Sequence, residues 1–258
     1  RMVMLPIFAQ ALRDNPKLAS IYIGYGNGDF FMVRPLRSQK LRDIFYAPPQ
    51  AAFQVWSIDR ISAQQTDSEH QFFDAQLTPI SRRQNLKDTF DPRTRPWYHG
   101  ALNSEAHFTT APYVFFSSAE IGTTIARKSN ADTVVGADLT LDDLSATLAA
   151  HRLTPSTEVV LYSSDGSAVA YPESERLVIP GQTLQLAPVQ TLSPTLATFR
   201  ALNLQQDHQG VLTLNQQRWH VSYSRLSEGG PQGLHLALMA PEEELLADAY
   251  RIRWQGAV

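Results

Sequence analysis

The sequence contains no cysteine. That excludes disulfides, thiolate metal sites and a cysteine nucleophile. It also lacks any run of about 18 apolar residues, so no segment reads as a membrane span. No signal-peptide pattern opens it. With Arg1 at one end and Arg251-Ile252-Arg253-Trp254 near the other, we expect a soluble fragment trimmed between two membrane spans, a look shared by any excised domain. A dominant charge is missing too: the net charge is −3, so no global basic field recruits nucleic acid or an anionic membrane. The local basic clusters Arg82-Arg83 and Arg93-Thr94-Arg95 read first as solvated surface.

Enzyme chemistry is equally sparse. The seven histidines show neither HExxH nor any other metal-ligand spacing, so no metal site is expected. No G-x-S-x-G elbow occurs. Gly24, Gly26 and Gly28 lack the lysine and the following helix of a phosphate loop and read as turn glycines. Asp142-Asp143 is explained by a helix start. We therefore expect no catalytic residues, no cofactor and no enzyme activity in this segment.

What is present is a repeated plan. Residues 4–18 carry Leu5, Phe8, Leu12 and Leu18 near a 3.6-residue period and predict the end of a helix. Ile21-Tyr22-Ile23 and Phe30-Phe31-Met32-Val33 flank Gly26-Asn27-Gly28, a hairpin pattern in which the central turn residues take positive φ. Leu139 onward predicts a helix to about Arg152, opened by a capping box of Thr140 and Asp143. Val159 to Tyr162 and Ala168 to Ala170 around Asp165-Gly166 predict a second hairpin. Further strands are expected at 53–58, 71–73, 113–116, 133–137, 210–214, 218–223 and 234–239. Pro241 and Glu242-Glu243-Glu244 predict a final helix. The fold class is α+β with antiparallel sheets, built as two similar units in tandem.

The densest chemistry lies in Phe90-Asp91-Pro92-Arg93-Thr94-Arg95-Pro96-Trp97-Tyr98. Pro92 and Pro96 hold their predecessors extended, which presents Arg95 beside Trp97 and Tyr98. A guanidinium fork with an indole N–H and a phenol O–H can receive a carboxylate. The alternative is a plain structural turn, with both aromatics in the core and both arginines in water.

The run Asp91 to Tyr98 resembles the double Cache (dCache_1) extracytoplasmic sensor domains of bacterial transmembrane receptors. The likeness extends through Ala111-Pro112-Tyr113, Gly122 to Ala126, Val134 to Leu141, Tyr162 to Gly166, Tyr171-Pro172 and Leu238 to Glu242. It implies a long N-terminal helix and two tandem PAS-like units with antiparallel sheets. Residues 1–19 would end the helix, 20–150 form the membrane-distal ligand-binding unit and 155–240 the membrane-proximal unit. Residues 241–258 would form a C-terminal helix leading to a membrane span. For the amino-acid-binding branch, the resemblance implies that Arg95 and Trp97 hold a carboxylate while Tyr98, Tyr113 and Asp138 surround an ammonium. Phe90, Phe115 and Thr124 would be pocket wall. Phe90 departs from the branch's usual tyrosine, which removes one polar contact. For Asp138, capping of the helix near Leu141 stays open as an alternative, and so does plain core packing for Tyr113.

The expected function is a periplasmic, or otherwise extracellular-face, sensor of an amino acid or amine within a homodimeric transmembrane receptor. Its output would be a methyl-accepting region, a kinase, or a cyclic-di-GMP synthase or hydrolase. The competing reading is a dimerisation or protein-interaction ectodomain without a small ligand, and a purine or organic acid is the competing ligand class.

Overall fold

The computed structural model describes residues 1–181, 183–226 and 233–247. In chain order the elements are α1 (Leu5–Asp14), β1 (Leu18–Gly24), β2 (Phe30–Pro35), α2 (Gln39–Ile44), β3 (Phe53–Arg60), β4 (Thr66–Phe73), β5 (Pro79–Gln84), α3 (Pro96–Leu102), β6 (Phe108–Thr109), β7 (Tyr113–Val114), β8 (Ile121–Lys128) and β9 (Val134–Thr140). There follow α4 (Asp142–Ala150), β10 (Glu158–Ser163), β11 (Ala168–Ala170), β12 (Val178–Ile179), β13 (Gln185–Leu186), α5 (Pro194–Ala201), β14 (His208–Leu214), β15 (Gln217–Arg225) and β16 (Leu234–Pro241). Residues 242–247 are helical. The α+β class with antiparallel sheets and an N-terminal helix is what the sequence predicts.

Contacts divide the chain into two units: residues 1–111 with 122–140, and 112–121 with 141 onward. The first unit is built on an antiparallel sheet of order β5-β4-β3-β2-β1-β9-β8-β6. Its central strand β2 is buried at every position, and so on both faces. The edge strand β5 is exposed throughout and begins with Pro79, which suits a strand that pairs on one side only. One sheet face is covered by α1. Leu5, Phe8, Ala9 and Leu12 fall at the i, i+3, i+4, i+7 spacing of a single stripe and pack with Ile21, Ile23, Phe31, Val33 and Val55. The junction after α1 is tied down by Arg37, whose guanidinium donates to the carbonyls of Leu12, Pro16 and Leu18.

The second unit has a sheet of order β11-β10-β16-β15-β14 and a small β12–β13 ribbon. Val160, Tyr162, Leu196, Phe199, Val221 and Met239 belong to its core.

Several local expectations are corrected. The first helix stops at Asp14, and Leu18 opens β1 instead of closing the helix. In the β1–β2 turn only Gly28 takes positive φ (89°), while the Asn27 side chain accepts from the Asp29 amide. Between β14 and β15, Asn215 and Gln216 take positive φ, 50° and 64°. Leu139 and Thr140 continue β9, where they pair with Thr123 and Gly122, so the capping box with Asp143 does not form. Asp142 accepts the Ile121 amide instead. The strand at 113–116 shortens to Tyr113–Val114. Pro241 ends β16 before the helical turn starts. The rest of the expected C-terminal helix, 248–258, lies outside the described residues.

Candidate ligand-binding site

The other face of the first sheet is set by the two-residue repeat of a strand. Ser20 and Tyr22 share that face with Phe30, Met32 and Arg34 of β2 and with Gln54 and Trp56 of β3. His70 of β4, Thr124 of β8 and Asp138 of β9 complete it. The register places Asp138 opposite both Ser20 and Thr124, and Arg34 opposite Gln54. One row along, Tyr22 lies opposite Met32 and Gly136, and Trp56 opposite Met32 and His70. A polar row therefore runs across the sheet beside an aromatic one.

Asp138 is the chemical centre of the polar row. It is 5% exposed. It accepts hydrogen bonds from Ser20 Oγ (2.8 Å), Tyr22 Oη (2.6 Å) and Thr124 Oγ1 (2.6 Å). Burial pushes its carboxyl above the usual range, while the hydroxyls of Thr124, Tyr22 and Ser20 and the charge of Arg34 pull the other way. Hydroxyl donors can rotate to new acceptors. A carboxylate held by such donors is able to take an ammonium as a stronger, charge-assisted partner. Asp138 lies inside β9 and does not cap α4.

Arg34 anchors a second polar group and is also buried, at 3% exposure. Its Nη1 donates to Gln54 Oε1 (3.1 Å), its Nη2 to Met32 Sδ (3.2 Å), and its Cζ lies 4.5 Å from the Phe45 ring centre. Because Gln54 Oε1 accepts from Arg34, its Nε2 is the donor toward His70 Nδ1 at 2.7 Å. Burial pushes His70 down to about 4; Asp88 opposes this, and the charges of Arg34 and Arg83 add to it. His70 is thus a neutral acceptor near pH 7, stacked on Trp56 with ring centres 5.6 Å apart.

The segment 90–98 closes over this face. Asp91 Oδ1 accepts the Arg93 amide and starts a short turn at Pro92–Thr94, and Arg93 pairs with Asp91 at 2.7 Å. Pro96 then opens α3, with Arg95 as the residue before it. Trp97 and Tyr98 are buried, as the plain-turn alternative expects. Trp97 meets the Tyr22 ring at 4.8 Å. This close docking depends on Gly24, where a Cβ would come within 2.8 Å of the Trp97 ring and 2.9 Å of Pro92. Gly136 plays the same part beneath Tyr22, whose ring occupies the place of a Cβ.

Of the residues singled out in the sequence, Phe90, Trp97, Thr124 and Asp138 come together on this face. Phe90 packs on Phe30 at 4.7 Å, Phe30 and Trp97 both pack on Tyr22, and Tyr22 bonds to Thr124 and Asp138. Arg95 is half-buried, with Cζ 5.8 Å from the Phe90 ring centre. Tyr98 joins the same core, but its hydroxyl donates to the Asp132 carbonyl at 2.5 Å. Tyr113 and Phe115 fall in the second unit, where their rings meet edge-to-face at 5.3 Å. Ser20, Tyr22, Arg34, Gln54 and His70 were not anticipated. The signal for Ser20, Tyr22, Arg34 and Gln54 is a polar group on one face of a largely apolar strand, whereas His70 lies in a mostly polar one. Clefts of about 530, 570 and 520 Å³ open elsewhere, and neither Asp138 nor Trp97 lines them.

No family model matches the chain. It is 31% identical over 170 residues to Adenylate cyclase 1 of Rhizobium meliloti (strain 1021), covering 65% of this chain and 26% of that protein. It is 32% identical over 118 residues to Methyl-accepting chemotaxis protein PscA of Pseudomonas syringae pv. tomato, covering 44% of this chain and 18% of that protein. The chain thus spans about a quarter or less of the length of these relatives. In fold it is similar to the ligand-binding domain of the Pseudomonas aeruginosa PAO1 amino-acid chemoreceptor PctB in complex with L-Arg. The TM-score is 0.51 at 16% identity, over 97% of this chain and 78% of that one. The fold is that of a chemoreceptor ligand-binding domain.

Proposed function

We propose that this chain is the extracytoplasmic sensor module of a transmembrane signalling receptor, not an enzyme, and that its first unit binds an amino acid or amine with Asp138 as the ammonium receptor. The observation that carries the proposal is a fully enclosed carboxylate held by three hydroxyl donors. The likeness in fold to an amino-acid chemoreceptor domain and the relation to a chemotaxis protein and a cyclase support it. Relatives with such different outputs suit an input module that joins to several cytoplasmic effectors. The first unit would be membrane-distal, the second membrane-proximal, and the receptor a homodimer held by flanking spans.

Binding would proceed by exchange. The ligand ammonium takes the acceptor sites that Tyr22 Oη now fills on Asp138, which frees Tyr22 to move with the Trp97 ring it touches. Arg95 and Trp97 would take the carboxylate. Each charge-assisted hydrogen bond contributes on the order of 1.5–3 kcal/mol. A ligand acts on the receptor only through its different affinity for two states, and α3 is the element placed to differ between them.

A thermal-shift screen of the chain against amino acids, amines, purines and organic acids tests this. A ligand at 100 times its Kd adds about 2.7 kcal/mol, which raises Tm by roughly 5–10 °C at this chain length. The expected result is a shift with amino acids or amines that Asp138→Asn removes. A screen without any shift supports the interaction-module reading, and a shift with organic acids or purines that survives Asp138→Asn changes the ligand class.

A further inference from the structure

The polar row contains a second charged receptor, and its position bears on the length of the ligand. We propose that Arg34 binds an anionic group at the far end of the ligand, so that the ligand is an acidic amino acid: Asp138 takes the ammonium and Arg34 the side-chain carboxylate. The inference rests on Asp138 being the ammonium receptor.

The register carries the argument. Asp138 on β9 and Arg34 on β2 face the same side in one row, with Ser20 of β1 between them. Two inter-strand spacings separate their backbones by roughly 10 Å. Gln54 draws the Arg34 guanidinium toward β3, on the side away from Asp138. A carbon chain of four or five bonds covers roughly 5 Å, and a hydrogen bond at each end adds about 2.8 Å. The γ-carboxylate of a glutamate-like ligand spans that gap. An α-carboxylate, two bonds from its ammonium, falls short of it and is left to Arg95 and Trp97.

Arg34 is also set up as a receptor. An amide oxygen, a thioether and the face of Phe45 are among the groups that hold it. Gln54 is held in turn by the neutral His70 ring. The guanidinium plane is thereby fixed before a ligand arrives, and a planar fork suits a carboxylate better than a lysine point charge does. The serine hydroxyl between the two charges leaves the floor of the row polar along the ligand's path.

Calorimetric titration with L-glutamate, 4-aminobutyrate and L-alanine tests the proposal on wild type, Arg34→Gln, Arg34→Lys and Asp138→Asn. Circular dichroism verifies each fold, and Arg34→Lys keeps the buried charge if Arg34→Gln does not fold. Wild type should bind L-glutamate more tightly than L-alanine. Both Arg34 variants should lose tenfold or more toward L-glutamate and 4-aminobutyrate, with L-alanine within twofold, while Asp138→Asn loses all three. Unchanged L-glutamate affinity in both Arg34 variants, with loss in Asp138→Asn, overturns the role of Arg34 and leaves the ammonium site standing. A wild type that prefers L-alanine overturns it as well. A wild type that binds none of the three removes the acidic ligand together with the ammonium reading on which it rests.

Discussion

A carboxylate closed inside a sheet face loses hydration that three hydroxyls replace only in part. For Asp138 burial therefore prevails, and its pKa rises above the usual 3.8. The folded state then binds its proton more readily than the unfolded chain. The stability linked to this group is fully present below pH 3.8 and is lost as pH rises through the folded value. Relative to Asp138→Asn, the wild type should gain stability as pH is lowered from 7 toward 4, measured as the difference in denaturant midpoints. Parallel pH profiles would show that Asp138 carries no such cost. His70 acts in the opposite sense. Its pKa falls from 6.5 to about 4, so its contribution is present above 6.5 and is lost as pH drops toward 4. A shift of that size is worth on the order of 3 kcal/mol. His70→Gln should flatten the wild-type loss between pH 6.5 and 4, and an unchanged slope would assign that loss to another group. At this scale the sequence was legible only in part. Asp138, Trp97, Phe90 and Thr124 were marked through family resemblance, whereas Ser20, Arg34 and Gln54 acquire meaning only when strand register aligns them in one row.

Elements were legible where local pattern and tertiary pairing agree. The α1 stripe and the hairpins β1–β2 and β10–β11 follow from periodicity and turn chemistry. The pattern fails where sheet pairing overrides it. Thr140 and Asp143 have the spacing of a capping box, but Thr140 is held in β9 by Gly122. Of β4 only the apolar end at 71–73 was visible, and β5 was not, because β5 is an exposed edge and β4 lies beside it. Two substitutions test the packing. Leu12→Ala empties a fully buried position and should cost about 2–5 kcal/mol in chemical denaturation. Gly24→Ala forces a methyl against Trp97 and Pro92 and should cost roughly 1–3 kcal/mol. It should also change Trp fluorescence as α3 shifts; unchanged fluorescence and stability would mean that α3 is not seated on β1 as described.

The whole chain joins two α+β units, of which the first carries the polar row and the second an apolar core beneath its sheet. A ligand that binds in the first unit should slow amide exchange in β1, β9 and α3 before it affects β10 or β15, as read by hydrogen-exchange mass spectrometry. Equal protection of both units on ligand addition would place binding, or its main coupling, elsewhere. The tandem plan was visible in the repeated helix–strand–turn–strand order. The assignment of 112–121 and 141–150 to the second unit was not, because it depends on contacts distant in sequence. The most direct measurement is calorimetric titration of the chain with a panel of amino acids and amines, run in parallel on wild type and Asp138→Asn. If Asp138 receives the ammonium, the wild type shows saturable one-site binding and a folded Asp138→Asn loses it. Equal binding by both proteins would contradict that role.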